Sequence, residues 1–137
     1  MKVQPYLMFE GRCEEALAFY RKALDAKVIT LMRFKDSPDP PQPGMHPPGS
    51  ENKVMHVAFT IGESTLFASD GRNSGNPAFQ GFALSLDAKT DAEAERWFSA
   101  LSDGGKVLLP LNKTFFSSRF GMLADRFGLH WWVMVAQ

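Results

Sequence analysis

Three histidines, one cysteine and a few polar residues set among apolar strands are the parts of this 137-residue chain that could do chemistry. His56 interrupts the run Val54-Met55-His56-Val57-Ala58-Phe59. An imidazole titrates near neutrality, so His56 could serve as a general base. The competing role is a hydrogen-bonded structural histidine, because the sequence identifies no partner acid. His130, at a strand end, and His46, among prolines, are weaker candidates. Arg119 follows Ser117-Ser118 and could hold an anionic substrate or simply reach solvent from the outer face of its strand. Cys13 lies near a helix start, where a thiol can become acidic; with no base in view it reads as inert. Gly71-Arg72-Asn73-Ser74-Gly75-Asn76 is glycine-rich but matches neither phosphate-loop pattern. Lys113-Thr114-Phe115-Phe116 mixes a base with aromatics, as single-strand binders do, yet as a lone patch it reads as a strand entry.

The bulk numbers narrow the classes. Fifteen basic side chains balance fifteen acidic ones, which argues against a nucleic-acid or anionic-membrane surface. The same balance weakens sequestration of a strongly cationic ligand. A single cysteine excludes an internal disulfide and a thiolate metal cluster. The N-terminal apolar stretch is too short and interrupted for a signal-peptide core, and no apolar run is long enough to span a bilayer. These observations predict a cytoplasmic protein with no membrane or nucleic-acid partner, folded as a single domain over residues 1–137.

The elements that must position these residues follow from periodicity. Val3 to Phe9 reads as a strand. Ala16, Phe19, Tyr20, Ala23 and Leu24 share one helical face; Glu14 and Glu15 in the first turn and Arg21 and Lys22 in the last suit the helix dipole. Lys27 to Phe34 reads as a strand. Residues 36–52 hold six of the nine prolines and predict a long exposed loop. Lys53 to Ile61 and Ser64 to Ser69 form a hairpin turned at Gly62-Glu63, where glycine in first place suits a type II′ turn. Phe79 to Asp87 reads as a strand, and Thr90-Asp91-Ala92-Glu93 is a capping-box signature opening a second helix with the stripe Ala94, Trp97, Phe98 and Leu101. Lys106 to Leu111, Phe116 to Ala124 and Leu129 to Ala136 complete the strands.

Strand, helix and three strands are thus written twice, and Tyr20-x-x-Ala23-Leu24 recurs as Trp97-x-x-Ala100-Leu101. The expected fold class is α+β, with βαβββ modules over 1–70 and 79–137. Each helix would cover one face of its mixed sheet. The opposite faces would enclose a cup-like half-barrel with the helices outside.

Four stretches resemble the PhnB-like branch of the vicinal oxygen chelate superfamily (glyoxalase, bleomycin resistance, dioxygenase). They are Pro5-Tyr6-Leu7-Met8-Phe9 with Glu14-Glu15-Ala16-Leu17-Ala18-Phe19-Tyr20; Met55-His56 leading to Ser69-Asp70; Gly104-Gly105-Lys106-Val107; and Phe120-Gly121-Met122 with Asp125-Arg126-Phe127-Gly128-x-x-Trp131. The resemblance implies paired βαβββ modules and, in the superfamily's enzymes, four His, Glu or Gln ligands around a divalent metal. Carried over, those positions fall on Gln4 or Pro5, near Phe67, near Gly81 and near Trp132. One amide oxygen cannot hold a catalytic ion, so no metal and no other cofactor is expected.

Alternation along strands then sorts the faces. Leu129, Trp131, Val133 and Val135 should lie under the helix, with His130, Trp132, Met134 and Ala136 opposite. Phe82, Leu84 and Leu86 are assigned to the helix side and Gly81, Ala83 and Ser85 to the cup. Gln4, Tyr6, Met8, His56, Ala58 and Thr60 are assigned to the cup as well. The expected ligand-binding residues are Gln4, Tyr6, His56, Phe67, Arg119, His130 and Trp132, with no residue assigned as catalytic. For Phe67 and Trp132 the competing role, and the commoner one for such residues, is core or dimer packing. The leading expectation is a metal-free small-molecule-binding protein, and the resemblance implies a homodimer. The alternatives are a metal-independent enzyme using His56 or Arg119, and a resistance-type binder that sequesters a drug. Whether a reaction is catalysed stays open at this point. Relatives in the branch have carried a methyltransferase label, but no Rossmann-type cofactor loop is present to support it.

Overall fold

Pro5 decides where the first strand can begin. The structure, a computed structural model, describes residues 1–38 and 48–136. Its contacts divide the chain into two units, Met1–Pro77 and Ala78–Gln137. The first contains β1 (Tyr6–Met8), α1 (Cys13–Leu24), β2 (Lys27–Arg33), a 3-10 turn (Phe34–Asp36), β3 (Val54–Ile61) and β4 (Ser64–Ser69). The strand expected from Val3 starts three residues later, because Pro5 has no N–H to give a ladder. Its carbonyl still accepts from the Phe67 amide at 3.0 Å.

The sheet runs β1-β4-β3-β2, with β1 parallel to β4 and the other pairs antiparallel. Helix α1 buries Cys13, Ala16, Leu17, Tyr20 and Leu24, which adds Cys13 and Leu17 to the expected stripe and leaves Phe19 and Ala23 half-buried. Asp25, in the left-handed conformation, ends it. Phe9 lies against Tyr20 with ring centroids 6.0 Å apart, which fixes the sheet face under α1. Leu7, Val57, Phe59, Leu66 and Ala68 fill that face. The Gly62 hairpin forms as expected: Gly62 has φ 57°, the positive value a type II′ turn needs first. Of the proline-rich stretch, Pro38 and Pro48 lie in irregular chain; His46 and the remaining prolines of 39–47 lie outside the described residues.

The second unit repeats the order with β5 (Leu84–Ala88), α2 (Asp91–Ser102), β6 (Lys106–Asn112), β7 (Phe120–Ala124) and β8 (His130–Val135). Its sheet runs β5-β8-β7-β6, again with the first strand parallel to the last. Thr90 caps α2 by accepting from the Glu93 amide at 3.1 Å. The Glu93 carboxylate reaches the Lys89 amide rather than that of Thr90, so only half of the capping box forms as expected. Gly121 lets α2 approach closely, since a Cβ there would stand 2.7 Å from the Phe98 ring.

Two strands are shorter than expected. Leu84 pairs with Trp131 near the start of β8, so residues before 84 have no strand beside them, and Gly81 at φ 79° turns the chain away. Phe82, assigned to the helix side, is instead 45% exposed; the face assignments of Gly81, Phe82 and Ala83 lapse with the strand that carried them. Residues 116–119 leave the ladder because Ser117 intercepts it. Its hydroxyl accepts from the Val135 amide at 3.1 Å and lies 2.7 Å from the Arg119 carbonyl.

Asp125 is the buried polar anchor of this unit, 3% exposed. Its carboxylate accepts from the amides of Phe127 and Leu129 and from the Trp131 indole N–H, at 2.9, 3.1 and 2.9 Å. Asp125→Ala strands all three donors. Each buried orphan costs about 1–3 kcal/mol, so the variant should lose about 3 kcal/mol or more of unfolding free energy in urea titration. A loss under about 0.5 kcal/mol, the range of ordinary surface changes, would contradict this role.

Candidate aromatic and histidine site

In the first sheet, strand alternation and register gather three rings on the face opposite α1. Val57 and Phe59 of β3 are fully buried, so His56, Ala58 and Thr60 turn the other way. β4 pairs Phe67 with Ala58, and β1 pairs Tyr6 with Phe67, so all three strands present these residues to one side. Ring centroids are 5.5 Å apart for Tyr6 and His56, 5.4 Å for His56 and Phe67, and 6.2 Å for Tyr6 and Phe67. The planes differ by only 33–38°. By register and spacing the three form one aromatic cluster, the floor of that face.

The Tyr6 hydroxyl lies 3.0 Å from His56 Nδ1. This is the partner the sequence did not reveal, 50 residues away. An imine-type nitrogen is a much better acceptor than a phenol oxygen, so the hydroxyl donates. In the neutral ring that places the remaining proton on Nε2. Among the described residues nothing bonds to Nε2. Met32, paired with His56 across β2, and Met8, on the face of Tyr6, add exposed thioethers. Met8 belongs to the expected cup face, although not to the expected ligand-binding residues; Met32 becomes visible only through the bulged register of β2, which no periodicity records.

The other expected residues are placed elsewhere. Gln4 is half-buried and precedes β1 by two residues. In the second unit His130 and Trp132 share the β8 face opposite α2, and Trp132 is 42% exposed. Phe120 meets Trp132 edge-on at 5.7 Å and Phe116 meets Phe120 at 5.0 Å, an apolar chain not anticipated from sequence. Arg119 does not join either face. Its guanidinium donates to Glu95 at 3.2 Å and stands 3.6 Å from Asp91, both on α2, so the helix carboxylates already neutralise it. Cys13 is fully buried. Burial first, then the Asp70 and Glu14 carboxylates, push its thiol pKa far up, which fits an inert side chain.

The superfamily's metal positions can be tested on their donors. Phe67 and Trp132 do sit on the open faces of their strands but offer no lone pair, and Gly81 lies outside any strand. Among the described residues no group of three or more His, Cys, Asp or Glu side chains could hold an ion. The residues present do not fit the superfamily's metal.

A profile of the family described as 3-demethylubiquinone-9 3-methyltransferase matches residues 1–134. The chain belongs to that family. Protein YjdN of Escherichia coli is 32% identical over 142 residues, covering all of this chain and 97% of its own. The crystal structure of protein PA1353 from Pseudomonas aeruginosa is 37% identical with a TM-score of 0.85, covering 100% of this chain and 98% of that one. The PhnB protein from Bacillus cereus is 29% identical with a TM-score of 0.81, covering 99% and 100%. A glyoxylase/bleomycin resistance protein/dioxygenase domain from Frankia, 13% identical at a TM-score of 0.66 over 98% of this chain and 94% of its own, shows the shared fold alone. The chain is thus PhnB-like, with the α+β architecture of the vicinal oxygen chelate superfamily.

Two measurements check the chemistry of the site. In long-range proton–nitrogen spectra at mildly alkaline pH, His56 should show a protonated Nε2 and an unprotonated Nδ1. Tyr6→Phe should erase that preference; an Nδ1-protonated ring in the parent would contradict the hydrogen-bond direction. Cys13 should react with a disulfide reagent at neutral pH about 100-fold more slowly in the native protein than in urea, since only the thiolate attacks. Its raised pKa also sets a sign: stability falls as pH climbs past the ordinary thiol range, where the unfolded chain alone releases the proton. Equal native and unfolded rates would overturn the burial argument.

Proposed function

We propose that this PhnB-like chain is a small-molecule-binding protein that works without a resident metal. The Tyr6–His56–Phe67 face is the core of its site. The observation that supports this most is the gathering of three rings on one face around His56, whose Nε2 has no partner among the described residues, with two exposed thioethers on the same face, the mix typical of small-ligand sites. Gln4 at the N-terminal edge of that face is assigned to ligand contact. In the second unit, His130 and Trp132 present an apolar face of the same character and are given the same role.

A second reading, a metal-independent enzyme, is favoured by the Tyr6–His56 hydrogen bond. A phenol that orients an imidazole gives it a defined tautomer, a requirement for proton transfer. Arg119 leaves this reading because its charge is already paired. Methyl transfer, named in the family description, is not adopted, since the chain presents no dinucleotide-type glycine loop.

Homodimerisation is part of the proposal. Val28, Ile29, Leu31 and Met32 of the edge strand β2, and Val107, Leu108 and Leu109 of the edge strand β6, are all exposed. Uncovered apolar edge strands invite pairing or burial by a partner. Among the described residues no helix is long and apolar enough to cross a membrane.

Native mass spectrometry of protein purified without added ligand tests these points together. The expected species is a dimer that carries an organic compound and no metal. A stoichiometric transition metal would overturn the metal-free reading, and a monomer at micromolar concentration would overturn the dimer.

A further inference from the structure

The identity of the strand residues around the aromatic floor restricts what can lie on it. The face opposite α1 is built from residues of four strands, placed by the ladder register, which is bulged in β2 between Val28 and Thr30. Besides the three rings and the two methionines it carries Thr30, Ala58, Thr60, Thr65 and Ser69. The remaining member is Lys27, paired with Thr60. No aspartate or glutamate occurs among these strand residues. These strands therefore supply no carboxylate to a cationic ligand, while Lys27 supplies a positive charge.

The floor also has a polarity. With Tyr6 donating to Nδ1, the neutral His56 ring keeps one donor, Nε2–H, for a partner that the described residues do not supply. Three rings with centroids 5.4–6.2 Å apart on one sheet face give an aromatic ligand more than one π partner. Flat π systems gain from such offset contacts beyond the area they bury, and thioethers at the margin add further contacts with aromatic edges.

We propose that this face takes a planar, conjugated small molecule carrying a carbonyl or carboxylate oxygen, which lies on Tyr6 and Phe67 and accepts from His56 Nε2–H. The inference rests on the binding function proposed above and narrows it to a ligand class.

Three soluble probes test it by titration into isotope-labelled protein, followed through the side-chain signals of Tyr6, His56 and Phe67. They are benzoate, its saturated counterpart cyclohexanecarboxylate, and benzylammonium. Benzoate should give saturable shifts at all three residues and move the His56 Nε2 resonance. Cyclohexanecarboxylate should bind about tenfold more weakly, and benzylammonium more weakly still. Phe67→Leu, which keeps the volume but removes the ring, should erase the benzoate preference while leaving the amide spectrum folded.

Equal or tighter binding of the saturated acid or of the cation at these residues would overturn the ligand class and leave the site reading intact. Shifts confined to other residues, or none at this face with any probe, would overturn both.

Discussion

A sheet covered by one helix can hide only one of its faces, and strand alternation decides which residues are hidden. Everything proposed for this chain depends on that constraint. In the first sheet Leu7, Val57, Phe59, Leu66 and Ala68 are buried at 0–4% exposure, and each is a neighbour in sequence of a residue on the opposite face. A slip of one residue in β3 would exchange Val57 for His56 and place an imidazole under α1. Register is secured at both ends: Asp70 accepts from the Val54 amide at 2.6 Å and from the Cys13 amide at 2.8 Å. One buried carboxylate thus ties the start of β3 to the start of α1. The site is held by groups that never touch it.

The parallel pairing of the first strand with the fourth is what makes the rings meet. Tyr6 and Phe67 are far apart in sequence but become direct neighbours through β1 and β4. The hairpin then sets Phe67 against Ala58, two residues from His56. A ligand surface assembled from three strands of one sheet is stiffer than one built on loops.

Much of this was legible in the sequence, for a reason that differs from element to element. Helix α1 announced itself through charges at both ends and a clear apolar stripe, and β8 through the strict alternation of Leu129, Trp131, Val133 and Val135. Parity groups His56 with Ala58 and Thr60, and that face does turn away from α1; Phe67 was singled out through the resemblance, not through alternation. Parity failed where extension failed: Phe82 lies before its strand because β8 is too short to pair with it. The Tyr6–His56 hydrogen bond was hidden because it depends on the register of non-adjacent strands. Arg119 was misjudged because strand reasoning ignores a helix packed across the sheet, where Asp91 and Glu95 take its charge. Phe116 and Phe120 were readable as aromatics but not as a chain, since Ser117 ends the ladder between them.

Membership of a family whose fold is shared with metal-dependent enzymes leaves the chemistry of this chain to its own residues, since folds do not fix functions. Of the positions the resemblance assigns to metal donors, two carry aromatic rings, Phe67 and Trp132, one is Gly81, and the fourth falls on Gln4 or Pro5. The most direct test is crystallography of protein purified without added ligand, with anomalous data to identify any metal. The account predicts discrete organic density against Tyr6 and Phe67, within hydrogen-bonding reach of His56 Nε2. An anomalous scatterer gripped by three or more protein atoms would contradict it.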